Sequence, residues 1–222
     1  GALQFYAGEA DSSFTLDGKV TYATGPNNIY INPSPSDLPP SDLPLVYAVD
    51  AESTTAETTL TITGDVSMNV MARYTDVTAV AAIAEAEGAG IIVDAQQDVK
   101  AQLGDFTVSA DAPHSATAVR VMADASNSEA AVKVGGNVEA SIGDVYGNNK
   151  PVTADGILLS AGGTGTKATA DVTGSVAAYT SNGTDAEASA IRTVDNQGGE
   201  VSVSVGKDAE AVEDPARGGN MS

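Results

Sequence analysis

One stretch decides the fold of this chain: Ala130-Ala131-Val132-Lys133-Val134-Gly135-Gly136-Asn137-Val138-Glu139-Ala140. The same pattern returns 38 residues later as Ala168-Thr169-Ala170-Asp171-Val172-Thr173-Gly174-Ser175-Val176-Ala177-Ala178. In both copies apolar residues occupy every second position, before and after a glycine. This is the period of a strand with one buried face. Each copy is therefore predicted to be two short strands hinged at a turn residue.

Six copies of the pattern cover nearly the whole chain. Their turn residues are Gly18, Gly64, Gln97, Gly136, Gly174 and Lys207, at spacings of 46, 33, 39, 38 and 33 residues. Two places before the turn stand Leu16, Ile62, Ala95, Val134, Val172 and Val205. Two places after it stand Val20, Val66, Val99, Val138, Val176 and Ala209. Repetition on this scale is typical of solenoid proteins, in which each repeat packs only on its neighbours.

A third strand is predicted between successive copies. Its candidates are Leu45 to Val49, Val80 to Ala84, Ala116 to Val121, Gly156 to Leu159 and Ala188 to Val194. Three short strands per repeat predict an all-β fold, a parallel β-solenoid of about six coils in which equivalent positions stack into ladders. The alternative fold is an antiparallel β-sandwich, which also has short alternating strands but gives no reason for the long period. A helix over Val80 to Glu87 is a local alternative.

The pattern divides the chain into three parts. Residues 1–13 form an N-terminal strand-like segment that we expect to contact another subunit. Residues 14–212 form the solenoid, with a loop insertion at 26–44 whose prolines disfavour regular pairing. Residues 213–222 form a C-terminal tail.

Composition narrows the classes of function. The 222 residues include 30 acidic and 10 basic side chains, a formal net charge of -20 that opposes binding to nucleic acid or to anionic membranes. No run reaches the roughly 18 apolar residues of a membrane-spanning helix. The chain has no cysteine and therefore no disulfide framework. The acidic surface is typical of a secreted protein in a calcium-rich or saline setting.

One polar column has the chemistry of a metal site. Asp105, Asp144 and Asn182 lie eight places after successive turn residues, and stacked coils would place them about 4.8 Å apart. Adjacent carboxylates repel unless a cation or a proton lies between them, and calcium takes carboxylate and carbonyl oxygens from loops. Calcium is therefore the cofactor that we consider. The alternative is a series of Gly-Asp turns whose side chains extend into solvent.

Candidates for catalysis are few. The only histidine, His114, follows Pro113 and is interpreted as a solvated loop residue. A polysaccharide lyase or hydrolase would group carboxylates with a basic residue beside the strands. Arg120 and Arg192 occupy equivalent positions, but Leu158 separates them in the intervening coil. We therefore expect a protein that is not an enzyme.

Two short motifs match the N-glycosylation pattern. They are Asn182-Gly183-Thr184 and Asn220-Met221-Ser222. Both are relevant only to a chain that is secreted from a glycosylating cell.

The columned Val-x-Gly-x-Val-x-Ala coils resemble the parallel β-helix repeats of large extracellular bacterial proteins, such as autotransporter passengers and pectin-lyase-like adhesins. The resemblance spans roughly residues 14 to 212. It is one of repeat style and brings no catalytic or ligand motif with it. It implies an exported, non-enzymatic protein of the cell surface or matrix.

The two ends of the chain suggest how such a protein acts. Neither end has the pattern of a polar cap or a covering helix. We expect a head-to-tail homopolymer in which Leu3, Phe5 and Tyr6 contact the neighbouring subunit. The alternative is an adhesin fragment that binds glycans or a neighbouring cell surface through the loops at 26–44 and 104–115.

Overall fold

The computed structural model describes residues 2–8, 11–24, 45–55, 57–71, 76–104, 106–107, 114–146, 151–181, 186–194 and 198–213. Within these residues the chain forms twenty strands and no helix. The proline-rich insertion at 26–44 and the tail from residue 214 onward lie outside the described residues. The fold below is that of the described parts.

Eighteen of the strands build three parallel sheets of six strands each. Sheet A contains β1 (Leu3–Ala7), β4 (Leu45–Ser53), β7 (Asp76–Ala84), β11 (His114–Ala123), β15 (Val152–Ala161) and β18 (Ala186–Val194). Sheet B contains β2 (Ser12–Leu16), β5 (Thr58–Ile62), β8 (Gly90–Ala95), β12 (Glu129–Val134), β16 (Lys167–Val172) and β19 (Glu200–Val205). Sheet C contains β3 (Val20–Thr24), β6 (Val66–Val70), β9 (Val99–Leu103), β13 (Val138–Ile142), β17 (Val176–Thr180) and β20 (Ala209–Glu213). A two-stranded parallel ladder joins β10 (Phe106–Thr107) to β14 (Val145–Tyr146).

The chain visits sheets A, B and C in turn, so each group of three consecutive large strands forms one coil. Coil 1 is β1, β2 and β3, and coil 6 is β18, β19 and β20. Every pairing between described strands is parallel and joins neighbouring coils. The protein is therefore a six-coil parallel β-solenoid, as predicted, and the antiparallel sandwich is wrong.

The observed register confirms the predicted columns. In sheet B, Leu16 pairs with Ile62, and Val134 pairs with both Ala95 and Val172. In sheet C the stacking is equally regular, with Val138 between Val99 and Val176. Equal spacing from the turn residue was thus sufficient to place the strands of sheets B and C.

Sheet A departs from the prediction in length and in number of strands. Its inner strands begin up to four residues earlier than the apolar runs indicated; β7, for example, begins at Asp76. The same strand continues to Ala84, so the helical alternative over Val80 to Glu87 is wrong. The segment set apart at residues 1–13 supplies β1, whose Leu3 pairs with Val49, and the start of β2. The structure therefore places this segment within the first coil.

The interior is narrow and consists mainly of alanine and valine. In sheets B and C buried and exposed positions alternate, as in β13, where Val138, Ala140 and Ile142 are buried. Larger side chains fill the second and third coils, including Leu60, Ile62 and Leu103, all without exposed surface. Small side chains allow three sheets to approach one another closely at the density normal for a protein interior.

Glycines occur in the turns between sheets B and C and in those between sheets A and B. Between sheets B and C, a Cβ on Gly174 would lie 2.7 Å from the carbonyl carbon of Gly136 in the preceding coil, so this turn has no room for a side chain at Gly174. Between sheets A and B, a left-handed residue recurs as Gly88, Asn127 and Gly165, with φ of 71°, 57° and 71°. Glycine and asparagine are the residues that adopt this conformation most readily.

Candidate functional site

The first unusual surface is the end of the solenoid at coil 1. Phe14 occupies a core column of sheet B, yet 46% of its surface is exposed, whereas Leu60, the next residue of that column, has none. Phe5 stacks on Phe14 with ring centroids 6.1 Å apart. Leu16 and Tyr22 are half-buried beside them. We call Leu3, Phe5, Phe14, Leu16 and Tyr22 the N-terminal end face.

The opposite end shows the same loss of cover at coil 6. Ile191 continues a core column of sheet A but is 38% exposed, whereas its partner Ile157 in coil 5 is fully buried. In β19, the core positions Val201, Val203 and Val205 are half-buried. We call Ile191, Val201, Val203 and Val205 the C-terminal end face. Each end therefore presents core side chains to solvent.

Backbone hydrogen-bonding groups are also left open at both ends of the solenoid. In the described residues, β1, β2 and β3 pair with coil 2 alone, and β18, β19 and β20 pair with coil 5 alone. One side of each of these six strands is an edge whose backbone donors and acceptors can pair with another strand. The two end faces thus combine apolar side chains with open sheet edges.

A ladder of polar side chains lies directly after the turn residue, and its hydrogen bonds all point the same way along the solenoid axis. The carboxylate Oδ1 of Asp98 accepts the backbone N–H of Asn137 at 2.6 Å. In turn, Oδ1 of Asn137 accepts the backbone N–H of Ser175 at 3.0 Å. Each acceptor side chain therefore binds the backbone of the coil that follows it. The same column holds Lys19 in coil 1 and Asp208 in coil 6, both exposed.

The predicted calcium column lies partly outside the described residues. Asp105 and Asn182 are not described, and Asp144 is half-buried after β13. The residues just before Asp144 and Asn182 are bound to the preceding coil. The N–H of Gly143 donates to the carbonyl of Leu103, and the N–H of Ser181 donates to the carbonyl of Ile142. Among the described residues there is no group of three metal-ligating side chains. The calcium site stays a prediction, and so do both glycosylation motifs, since Asn182 and Asn220 are not described.

His114 is placed differently from its prediction. It is the first residue of β11, it pairs with Val152, and only 1% of its surface is exposed. The interpretation as a solvated loop residue is therefore wrong. The loop signal of the preceding proline does not show whether the next side chain turns into the protein.

A charge cluster on sheet A was missed by the sequence analysis. Asp155 has no exposed surface, and its Oδ2 lies 2.5 Å from a guanidinium nitrogen of Arg192, whose side chain is 32% exposed. The other oxygen, Oδ1, is buried without a hydrogen-bond partner among the described residues. Burial raises the pKa of Asp155 to about 6, although Arg192 acts in the opposite direction.

Burial also raises the pKa of other carboxyl groups on sheet A, among them Asp76 and Asp50. Burial raises the pKa of Asp76, even though its Oδ1 accepts the backbone N–H of Ser115 at 2.9 Å. Burial also raises the pKa of Asp50, against a hydrogen bond with Gln4. Ion pairs and hydrogen bonds at these positions join successive coils.

The two arginines of sheet A are separated along the stack of coils. Leu158 pairs with both Arg120 and Arg192, which confirms that it separates the two arginines. The Asp155 carboxyl group is covered completely and joins coil 5 to coil 6. The only sequence signal for Asp155 is its position inside the apolar run of β15, where an unpaired carboxylate would be costly.

The fold defines the class of protein, a parallel β-solenoid repeat protein. Comparison of the chain with protein-family models, with curated proteins and with solved structures finds no match. In the described part of the chain, no helix has the length and apolar character required to cross a membrane.

Proposed function

We propose that this protein is a non-enzymatic structural subunit of an extracellular filament or matrix, in which copies join end to end. The observation that supports the proposal is the exposure of core columns at both ends. Phe14 and Ile191 continue columns that are fully buried in the adjacent coils. A second copy that continues these columns would bury both side chains.

The chemistry of the two end faces favours strand addition. A neighbour that extends all three sheets supplies backbone partners to the edge strands and covers the apolar side chains at the same time. The contact is heterologous, since it joins the end of one copy to the beginning of the next. Heterologous contacts that do not close into a ring generate filaments.

The predicted subunit contact involves residues of β1. Leu3 and Phe5 pack against the core of their own chain, and Tyr6 is 64% exposed on the same edge strand. In this arrangement β1 completes coil 1 and offers its free edge to a neighbour. Deleting the segment would remove a strand from the fold, so point substitutions are the better test.

The test compares Phe14→Asp with Ile92→Asp. Phe14 is on the N-terminal end face, whereas Ile92 is an exposed residue of β8 in the middle of the solenoid with 37% of its surface accessible. A charge at Phe14 would be buried at the joint, and burial of an unpaired carboxylate is unfavourable. We expect filaments of the natural chain and of Ile92→Asp in negative-stain microscopy, and single particles of Phe14→Asp.

Monodisperse monomers of the natural chain at all concentrations in light scattering would contradict the proposal. So would filaments of Phe14→Asp that are as long as those of the control. A monomer would favour the adhesin alternative, and a glycan array would then identify its ligand.

A further inference from the structure

The regular register of the coils defines how two copies would meet. We propose that copies stack in the register that joins coil 5 to coil 6, so that β18, β19 and β20 pair with β1, β2 and β3 of the next copy. This inference rests on the proposed end-to-end assembly and adds the alignment of the joint. Because the partner is a second copy of this chain, both surfaces are known.

Backbone hydrogen bonds beside the turn residue repeat at each of the five steps between coils. One series ends with the N–H of Gly206, which donates to the carbonyl of Val172 at 2.8 Å. Its next member would be the N–H of Asp17 in the second copy, donating to Val205 of the first. A second series ends with the N–H of Val176, which donates to Asp208 at 2.9 Å.

The second series also has a next member. The N–H of Ala209 would donate to the carbonyl of Lys19 in the second copy, because Ala209 and Lys19 hold the places that Val176 and Asp208 hold one step earlier. Both bonds would form without any change of register. The open edges are thus complementary in the direction of their donors and acceptors.

Two pairs of opposite charges beside the turn residue would also meet at the joint. The polar ladder places Asp208 of one copy next to Lys19 of the other, where the carboxylate could accept the Lys19 N–H just as Asp98 accepts that of Asn137. Asp17 of the second copy would lie close to Lys207 of the first. For a chain with a formal net charge of -20, two opposite-charge contacts at the joint oppose the general repulsion between copies.

Side-chain sizes also match across the joint. The proposed register places Phe14 opposite Val203, Tyr22 opposite Ala211 and Phe5 opposite Thr193. These three large residues of the N-terminal end face therefore meet smaller ones on the other end. A slip by one residue would turn every core column outward.

Engineered cysteines test the register, and the chain has no natural cysteine to interfere. Thr15 and Ser204 are exposed and belong to one column of sheet B, so the joint would bring them together. The double variant Thr15→Cys with Ser204→Cys should form a ladder of covalent oligomers on a non-reducing denaturing gel. The control, Thr15→Cys with Ser202→Cys, is shifted by two residues on the same face and should remain mostly monomeric.

The outcomes separate the register from the assembly. Filaments in which the shifted pair cross-links as well as the aligned pair, or in which neither pair cross-links, overturn the register and leave end-to-end assembly intact. An absence of filaments for the natural chain overturns both.

A charge exchange gives a second readout. Lys19→Asp should raise the concentration required for assembly about fivefold, as expected for one exposed ion pair at its upper limit. Lys19→Asp combined with Asp208→Lys should recover part of this loss, because the opposite charges meet again although a lysine at position 208 cannot accept the backbone N–H of residue 19. Failure of the double variant to recover, with filaments of the natural chain present, would contradict the proposed contact.

Discussion

At the scale of single residues, Asp155 shows how burial changes the chemistry of an ordinary side chain. Its pKa rises from 3.8 to about 6 because the carboxylate is desolvated, and the ion pair with Arg192 offsets only part of that cost. Folding therefore favours the protonated form relative to the unfolded chain. Folding takes up a proton at this position when the pH lies between the two pKa values.

The pH dependence of stability has a definite sign. The stability contributed by protonated Asp155 is fully present below the unfolded pKa of 3.8 and is lost as the pH rises through about 6. A shift of this size corresponds to roughly 3 kcal/mol. We expect this carboxyl group alone to lower the free energy of unfolding by urea by about this amount between about pH 4 and about pH 8. Asp155→Asn should remove that part of the slope.

The matched control for this measurement is Asp171→Asn, which alters an exposed carboxylate on β16. Both variants are compared in the Phe14→Asp background, so that assembly does not contribute to stability. The control should keep the natural slope. An unchanged slope in Asp155→Asn would show that this carboxyl group does not govern the pH response.

His114 and Asp155 also show what sequence reasoning at this scale lacked. His114 was judged by local context, which predicts solvent contact for a histidine after proline, and Asp155 was not singled out at all. Burial instead depends on contacts made between coils, such as the hydrogen bond that Asp155 accepts from Arg192, 37 positions further along the chain. No local pattern encodes such a contact.

At the scale of elements, the turn between sheets B and C carries the register. Gly136 and Gly174 stack so closely that a Cβ on Gly174 would clash with the backbone of the preceding coil, at less than van der Waals contact distance. Gly174→Ala should therefore destabilise the fold by about 1 to 3 kcal/mol, the usual cost of overpacking. Urea unfolding followed by circular dichroism measures the change.

Gln97→Ala is the control, because Gln97 occupies the same turn column and already carries a Cβ. It should change the free energy of unfolding by less than about 0.5 kcal/mol, as exposed substitutions usually do. Equal effects of the two variants would mean that the turn relaxes to accept a side chain.

The strands of sheets B and C were predictable because each has one buried face and a fixed distance from the turn residue. Sheet A was harder. In β7 six consecutive residues from Val77 to Ala82 are buried, so the alternation that identifies a half-buried strand is absent. The strand β1 was separated from sheet A because it precedes the first copy of the repeat, whereas third strands were assigned only between successive copies.

At the scale of the whole molecule, charge is the dominant property. A formal net charge of -20 on 222 residues destabilises the compact state by self-repulsion and also keeps copies apart. Raising ionic strength from about 0.01 M to about 0.15 M shortens the screening length from about 30 Å to about 8 Å. We expect the midpoint of thermal unfolding to rise and the concentration required for assembly to fall.

The comparison uses sodium chloride against an uncharged osmolyte at equal osmolality, with unfolding followed by circular dichroism and assembly by light scattering. Calcium chloride at matched ionic strength gives the additional readout for the predicted column Asp105, Asp144 and Asn182. Stabilisation by calcium beyond that of sodium would support the column. Identical effects of the two salts would exclude it.

The direction of the hydrogen bonds has a mechanical consequence. In this solenoid the bonds between coils run along the axis, so a pull on the two ends would load every layer of bonds equally and the weakest layer would yield first. Such a structure yields coil after coil, and each released coil lengthens the chain by 33 to 46 residues. A filament built from it would extend in steps under tension and would absorb work before breaking.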